Sequence, residues 1–340
     1  MDLTNNSIEN ILVEFFKSTD FEKIAKIQSL WSGYGEIARY RFTSPKLVQK
    51  FGIRQFIVKH ISPPRQVCHP RGWSTSVSHQ RKVDSYQVEV NFYKTFAERC
   101  DDQCLVPSFI GEHRFIENGN PCQLILMSDL DDQGFPIRAT NLTVQQTKLC
   151  LRWLAHFHAK FIHSSSDHKH NGLWEVGSYW HLATRLEEWQ AMPSSQLKES
   201  ATNIDKALNN CKYKTIIHGD AKVANFCFTP DFTDVAAVDF QYVGSGTGVK
   251  DLIYLLGSCL SETDCKNNFT LLVNDYFDCL TYALGLYQPK LTANLVVKEW
   301  QGLVDLAWAD FERFLVGWAP DHKKRNQFSQ MITSRALASI

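Results

Sequence analysis

The sequence predicts an α+β protein built as two lobes, a small strand-rich one followed by a larger, mainly helical one. Three observations predict it. Between residues 38 and 127, short apolar runs bounded by turn residues flank one long amphipathic segment. From about residue 143 onward, apolar residues recur mostly at helical spacing. That helical stretch is interrupted at 215–240 by short buried runs next to polar clusters. A chain of 340 residues can build two modest cores. We place the small lobe at 1–128 and the large lobe at 129–340.

Charge and composition narrow the function classes. Lys plus Arg and Asp plus Glu both number 36. With no basic excess, neither nucleic acid nor an anionic membrane is an expected partner. The N-terminus lacks a charged segment leading into an apolar one, and no run is long and apolar enough to span a bilayer. Ten scattered cysteines without a CxxC pair read as reduced thiols, so the expected location is cytoplasmic. Cys100 and Cys104 have no second ligand pair, which argues against a metal clip.

Taken in order, residues 7–30 read as helical. Ile8, Ile11, Leu12, Phe15 and Phe16 share one face, and Phe21, Ile24, Ile27 and Leu30 continue in a second short segment. Gly33, Gly35 and Ala38 then fit G-x-G-x-x-[GA], a pattern whose glycines let backbone approach phosphate oxygens. A dinucleotide-binding fold would need a helix next. Instead, residues 38–42 and 56–61 read as strands, and the second carries Lys59. Its plain alternative is an edge-strand lysine that blunts aggregation. Residues 62–77 read as a long exposed loop, more simply a tolerated insertion than a flap.

A helix over about 78–97 has Tyr86, Val90, Tyr93 and Phe96 on its apolar face and Glu89 beside it. Residues 105–109, 112–116 and 123–127 read as strands, broken by Ser128-Asp129-Leu130. Thr143 caps a helix running to about His163. His163, His168 and His170 lie in a polar run without fixed spacing and read as surface. Residues 179–210 are mostly helical, interrupted at Pro193. The C-terminal region is helical, with most of its tryptophans at core spacing.

The most informative stretch is 215–240. Thr215 to Ile217 leads to His218-Gly219-Asp220; Asn225 precedes the short strand 226–228; residues 235–238 form a second strand that ends at Asp239. A hairpin of this kind can converge two carboxylates and an amide oxygen on one point. Such hard oxygen ligands suit Mg²⁺ shared with a nucleotide's phosphates. A carboxylate beside that ion can take the proton of an attacking alcohol.

His-Gly-Asp followed by Asn225, together with Val238-Asp239-Phe240-Gln241, resembles the small-molecule kinases with a protein-kinase-like fold: aminoglycoside phosphotransferases and choline/ethanolamine kinases. Gln241, Tyr242-Val243-Gly244 and Lys250-Asp251-Leu252 look most like their ecdysteroid-kinase-like branch. The resemblance implies ATP and Mg²⁺ as cofactors and a small-molecule hydroxyl compound as substrate, in a monomer or homodimer. It implies nucleotide contacts from Gly33, Gly35 and Lys59, with Glu89 steadying Lys59. The backbones of Met127 and Asp129 would contact adenine at the family's hinge. Asn225 and Asp239 would hold the metal, and Asp220 would be the catalytic base. His218 and Asp251 would brace the loop, Asp251 with helix capping as its other reading, and His158 would be structural.

Three rivals remain. A catalytically silent binding protein is opposed by intact Lys59, Asp220, Asn225 and Asp239. A protein kinase is opposed by the short segment between Asp239 and Asp251, and a Rossmann oxidoreductase by the missing βαβ pattern. Ala221 and Lys222 depart from the Leu-His or Leu-Trp of relatives, so the substrate does not follow by analogy. Trp180, Trp300, Trp308 and Trp318 could wall a site for a quaternary ammonium, and Asp305, Asp310 and Glu312 could face a polyamine sugar. Core packing is the better explanation of the tryptophans.

Overall fold

The computed structural model describes residues 7–64, 76–117, 119–162 and 172–340. The chain forms two compact units, Met1–Glu98 with Pro107–Gly134, and Arg99–Val106 with Phe135–Ile340.

The first unit opens with helix α1 (Ile8–Phe16), capped by the Ser7 hydroxyl, which accepts from the Asn10 amide. Strands β1 (Phe21–Ser29) and β2 (Gly35–Phe42), helix α2 (Pro45–Phe51) and strand β3 (Gln55–Ile61) follow. Helix α3 (Ser76–Thr95) and strands β4 (Phe109–Glu117) and β5 (Asn120–Ser128) complete it. The strands form one antiparallel sheet in the order β1-β2-β3-β5-β4. One of its cores gathers Ile11, Leu12 and Phe16 of α1 with Tyr40, Phe42, Phe56, Val58, Leu124 and Leu126. The Phe16 ring meets those of Phe42 and Phe56 edge-on at 5.0 and 5.1 Å, a favoured aromatic geometry.

Segment 21–30 corrects the sequence reading. It is a strand, not a helix, and its apparent helical spacing has a specific cause. The β1–β2 register slips between Lys23 and Ala25 and again between Lys26 and Gln28. Ile24 and Ile27 are therefore the extra residues of two bulges and are about half exposed, at 44% and 45%. Bulges three residues apart turn a period of two into a period of three. Helix α2 was not foreseen. Residues 105–108 are not a strand either: the Leu105 carbonyl accepts from the Trp153 indole at 3.0 Å and the Ala237 amide at 3.0 Å within the second unit. The expected loop at 62–77 lies largely outside the described residues, and α3 already begins at Ser76. His163, His168 and His170 also lie outside them.

The second unit begins with the short β6 (Ile137–Arg138) and helix α4 (Val144–Phe161). Thr143 and Gln146 form a reciprocal capping box at the start of α4. Helices α5 (Leu186–Ala191) and α6 (Gln196–Asn209) lead to β7 (Thr215–Ile217), β8 (Phe226–Phe228), β9 (Val235–Ala237) and β10 (Gly244–Gly246). Strand β8 pairs with β9 in the expected hairpin, with β6 on its other side, while β10 pairs with β7. The stretch expected as a glycine-rich loop is thus partly strand. Five helices finish the chain: α7 (Val249–Cys259), α8 (Glu262–Tyr287), α9 (Ala293–Gln301), α10 (Val304–Trp318) and α11 (Gln327–Leu337). Trp180, Trp300 and Trp308 are buried, with Trp300 donating to the Tyr213 carbonyl and Trp308 to the Ser329 hydroxyl. These three tryptophans therefore pack the core, while Trp318 is half-buried. Among the described residues, no helix is long and apolar enough to cross a membrane.

Candidate active site

In the first unit, β3 is a central strand, so Lys59 faces neighbours on both sides rather than an open edge. It is 3% exposed, and Glu89 on α3 is 1% exposed. The Lys59 ammonium donates to both Glu89 oxygens, at 2.6 and 2.9 Å. It also lies 5.5 Å from the centre of the Tyr86 ring. Both plain readings, an edge lysine and a solvated helical glutamate, are excluded by this burial. A buried pair of this kind must be kept together, because one member alone would be an uncompensated charge.

The two glycines differ in what they do. Gly33 closes a 3-10 turn with φ +77°, and a Cβ added there meets nothing within 4 Å. Gly35 opens β2 at φ +130°, and a Cβ there would sit 1.9 Å from the His60 carbonyl oxygen. Close approach of β2 to β3 is by itself enough to require Gly35.

Met127 lies in β5 opposite Ile57 and Phe109. The Asp129 side chain is held by Arg39, which also pairs with Asp131. The Asp129 carbonyl accepts from the Gln133 amide at 3.2 Å, forming the turn that follows β5.

In the second unit the loop after β7 is built around a buried aspartate 33 residues beyond His218. Asp251, in the first turn of α7, is fully buried. Its carboxylate accepts from the His218 amide at 2.6 Å and the Gly219 amide at 2.9 Å, and meets His158 Nε2 at 3.1 Å. The helix start falls at Val249, so Asp251 is a brace and not a cap. His158 is itself fixed by the Tyr276 hydroxyl at 2.8 Å and is structural, as expected. His218 Nε2 reaches the Val238 carbonyl at 3.0 Å, tying the loop to the end of the hairpin. Gly219 takes φ +76°, with the Tyr242 carbonyl oxygen 2.1 Å from where a Cβ would be.

This bracing presents Asp220 and Asn225 together. Asn225 donates through Nδ2 to the Asp220 carbonyl at 2.8 Å and to its carboxylate at 3.1 Å. Its Oδ1 has no partner among the described residues, which leaves an amide oxygen for a hard cation. Asp239 follows β9 with φ +70°, a conformation costly for a non-glycine residue. Such outliers persist where the surroundings impose them, commonly at functional sites. Asp220, Asn225 and Asp239 thus supply oxygen donors only, a set suited to Mg²⁺.

Sequence reading missed four neighbours of this cluster. Lys222 donates to the Asp220 carboxylate at 2.7 Å. Burial pulls its basicity down, but Asp220 and Asp239 outweigh that and raise it, keeping it an ammonium. The Tyr179 hydroxyl donates to that of Tyr254 at 3.1 Å. Burial first, then the neighbouring Tyr179 and Asp220, holds the Tyr254 phenol protonated. The Tyr179 phenol is held protonated by burial first, then Asp220. The fourth, Lys324, lies about a hundred residues away. Only Lys222 left a sequence signal, two positions after Asp220.

The fold is protein-kinase-like. Residues 175–288 match the family model of the ecdysteroid kinase-like family, a segment of about a third of the chain that contains Asp220, Asn225, Asp239 and Asp251. The match bears out the resemblance to small-molecule kinases, and to this branch, drawn from the loop residues. No curated protein matches the sequence closely enough to count as a relative. Among solved structures, choline kinase from Cryptosporidium parvum Iowa II aligns with a TM-score of 0.51 at 9% identity, covering 94% of this chain and 89% of that one. The GDP complex of wild-type aminoglycoside 2'-phosphotransferase-IIIa gives a TM-score of 0.49 at 11% identity, with 98% and 99% covered. A microcompartment-associated aminopropanol kinase gives 0.45 at 14% identity, with 97% and 94% covered. The likeness to the choline kinase is one of fold.

Proposed function

We propose that the protein is an ATP- and Mg²⁺-dependent phosphotransferase that moves the γ-phosphate onto a hydroxyl of a small molecule. Its place in the kinase class rests on the family match over 175–288 together with the fold. The observation that carries the chemistry is the braced loop, which holds the Asp220 carboxylate against the Asn225 amide, whose Nδ2 donates to it, at the start of a buried hairpin.

Each residue has a role in this reading. Gly33 and Gly35 bring backbone near the phosphates, and Met127 and Asp129 offer backbone groups to the base. Lys59 neutralises phosphate charge, and Glu89 fixes the ammonium. Asn225 and Asp239 are the metal ligands; when bound, Mg²⁺ neutralises charge on the phosphate oxygens. Asp220 orients the acceptor hydroxyl and takes its proton as the oxygen attacks phosphorus in line. Lys222 and Asn225, which both donate to that carboxylate, hold it in place.

The test is Asp220→Asn, which keeps the volume and the Asn225 contact but removes the base. Single-turnover transfer should fall by about 10²–10⁴, the usual contribution of general-base catalysis. Mg²⁺-dependent ATP binding by calorimetry and the melting temperature should stay near wild type. A variant that melts normally and transfers at the wild-type rate removes Asp220 from the mechanism.

A further inference from the structure

The three acidic residues of α10 that could have recognised a cationic acceptor are already neutralised. Asp305 is paired with Arg335, Asp310 with Arg313 at 2.9 Å, and Glu312 with Arg325 at 2.9 Å and the Ser329 hydroxyl at 2.8 Å. Asp310 and Glu312 are also buried. No anionic wall is left on α10 for an amino sugar or a choline-like head.

One aromatic face near the loop is occupied as well. Lys324, in the segment between α10 and α11, lays its ammonium over the Tyr254 ring at 4.5 Å and the Phe311 ring at 5.3 Å. An exogenous ammonium would have to displace it from that aromatic face. Asp220 is an electrostatic neighbour of both Tyr254 and Lys324. Lys324 therefore stands on the ring of a residue next to the proposed base.

Lys324 has no carboxylate in ion-pair range among the described residues. Lys222, by contrast, is committed to Asp220. The Lys324 side chain is largely enclosed, and burial presses its basicity down to about 8. Asp220 and Cys259 pull it up, while Lys222 and Lys323 push it down further. A partly buried cation without a counter-ion is a costly arrangement, and one that a bound anion would relieve.

Resting on the phosphotransferase reading above, we propose that the acceptor is a small hydroxylated anion, whose hydroxyl meets Asp220 and whose carboxylate or phosphate is held by the Lys324 ammonium above Tyr254 and Phe311. Hydroxy acids, sugar acids and phosphorylated alcohols share this chemistry. In this reading Lys324 determines specificity and takes no part in the transfer itself.

Two experiments test it. In the first, ADP release from ATP and Mg²⁺ is measured with three acceptor pools: hydroxylated anions, neutral polyols and sterols, and amino alcohols with amino sugars. Turnover is expected with the anionic pool, and its carboxylate and phosphate members separate the two sources of charge. Lys324→Ala should raise the acceptor KM by about 10- to 100-fold, the loss of one charge-assisted hydrogen bond, with the ATP KM unchanged. Lys324→Arg should restore most of it. Turnover only with neutral or cationic pools, or an unchanged acceptor KM in Lys324→Ala, overturns the proposal.

The second experiment needs no turnover. Acetic anhydride at pH 8 should modify Lys324 ahead of ordinary lysines, read by peptide mass. The anionic pool should protect it, and the neutral pool should not. No protection by any anion overturns the anion site even if transfer is observed. Protection without turnover in any pool leaves the anion site standing and counts against the phosphotransferase reading.

Discussion

Asp251→Asn isolates the brace beneath the catalytic loop. One carboxylate oxygen accepts from the His218 amide at 2.6 Å and meets His158 at 3.1 Å; the other accepts from the Gly219 amide at 2.9 Å. An amide keeps one acceptor and turns the other into a donor. Whichever way it is rotated, one of the two loop N–H groups then faces another N–H. A hydrogen bond to a charged acceptor contributes about 1.5–3 kcal/mol, and an unsatisfied buried donor costs about 1–3 kcal/mol. These two terms overlap, so about 2–4 kcal/mol should be lost. For a unit of this size, each kcal/mol moves the melting temperature by about 2–4 °C. The second unit's transition should therefore fall by about 4–16 °C in differential scanning calorimetry. Phosphoryl transfer should also drop by about 10²-fold, because Asp220 follows directly on the released backbone. A melt within a degree or two of wild type would refute the view that Asp251 holds this loop.

Glu89→Gln leaves Lys59 buried opposite a neutral amide; breaking such a pair costs about 3–5 kcal/mol, so the first unit should lose stability and ATP should bind more weakly by calorimetry. The two glycines should separate in a melting comparison: Gly33→Ala costs only the left-handed backbone term, about 1–2 kcal/mol, whereas Gly35→Ala drives a methyl into the His60 carbonyl and should abolish a cooperative melt. Lys324 has its basicity depressed from 10.5 to about 8, so between those values the unfolded chain holds the extra proton and wild-type stability should rise with pH. Lys324→Met should therefore melt higher than wild type at neutral pH, and the difference should shrink as pH climbs through that window; a constant difference would contradict a partly buried ammonium without a counter-ion.

Residues that act within a few positions of one another were legible from the sequence. His218, Asp220 and Asn225 lie on one loop, and the hairpin carrying Asp239 is closed by the turn at 229–234, so local spacing was enough to group them. The capping box of α4 and the apolar face of α3 were visible for the same reason: a helix brings residues three and four apart onto one side. Where the backbone departed from regular periods, the sequence misled. Ile24 and Ile27 carry a helical spacing only because two bulges insert a residue each into β1, and bulges depend on the partner strand.

The remaining decisions belong to tertiary structure. Lys59 and Glu89 were named by their order along the chain, but only packing of α3 against the sheet buries both and makes them a pair. Glycine at 35 fitted a phosphate-binding pattern, yet the contact that excludes a side chain there is the carbonyl of a strand paired across the sheet. Asp305, Asp310 and Glu312 looked available until folding supplied each with an arginine. Lys324 carried no signal at all, because a lone lysine in a polar turn reads as solvated. Its position follows from α7 and α10 placing two aromatic rings beneath it, a juxtaposition of residues 254, 311 and 324 that no local pattern encodes.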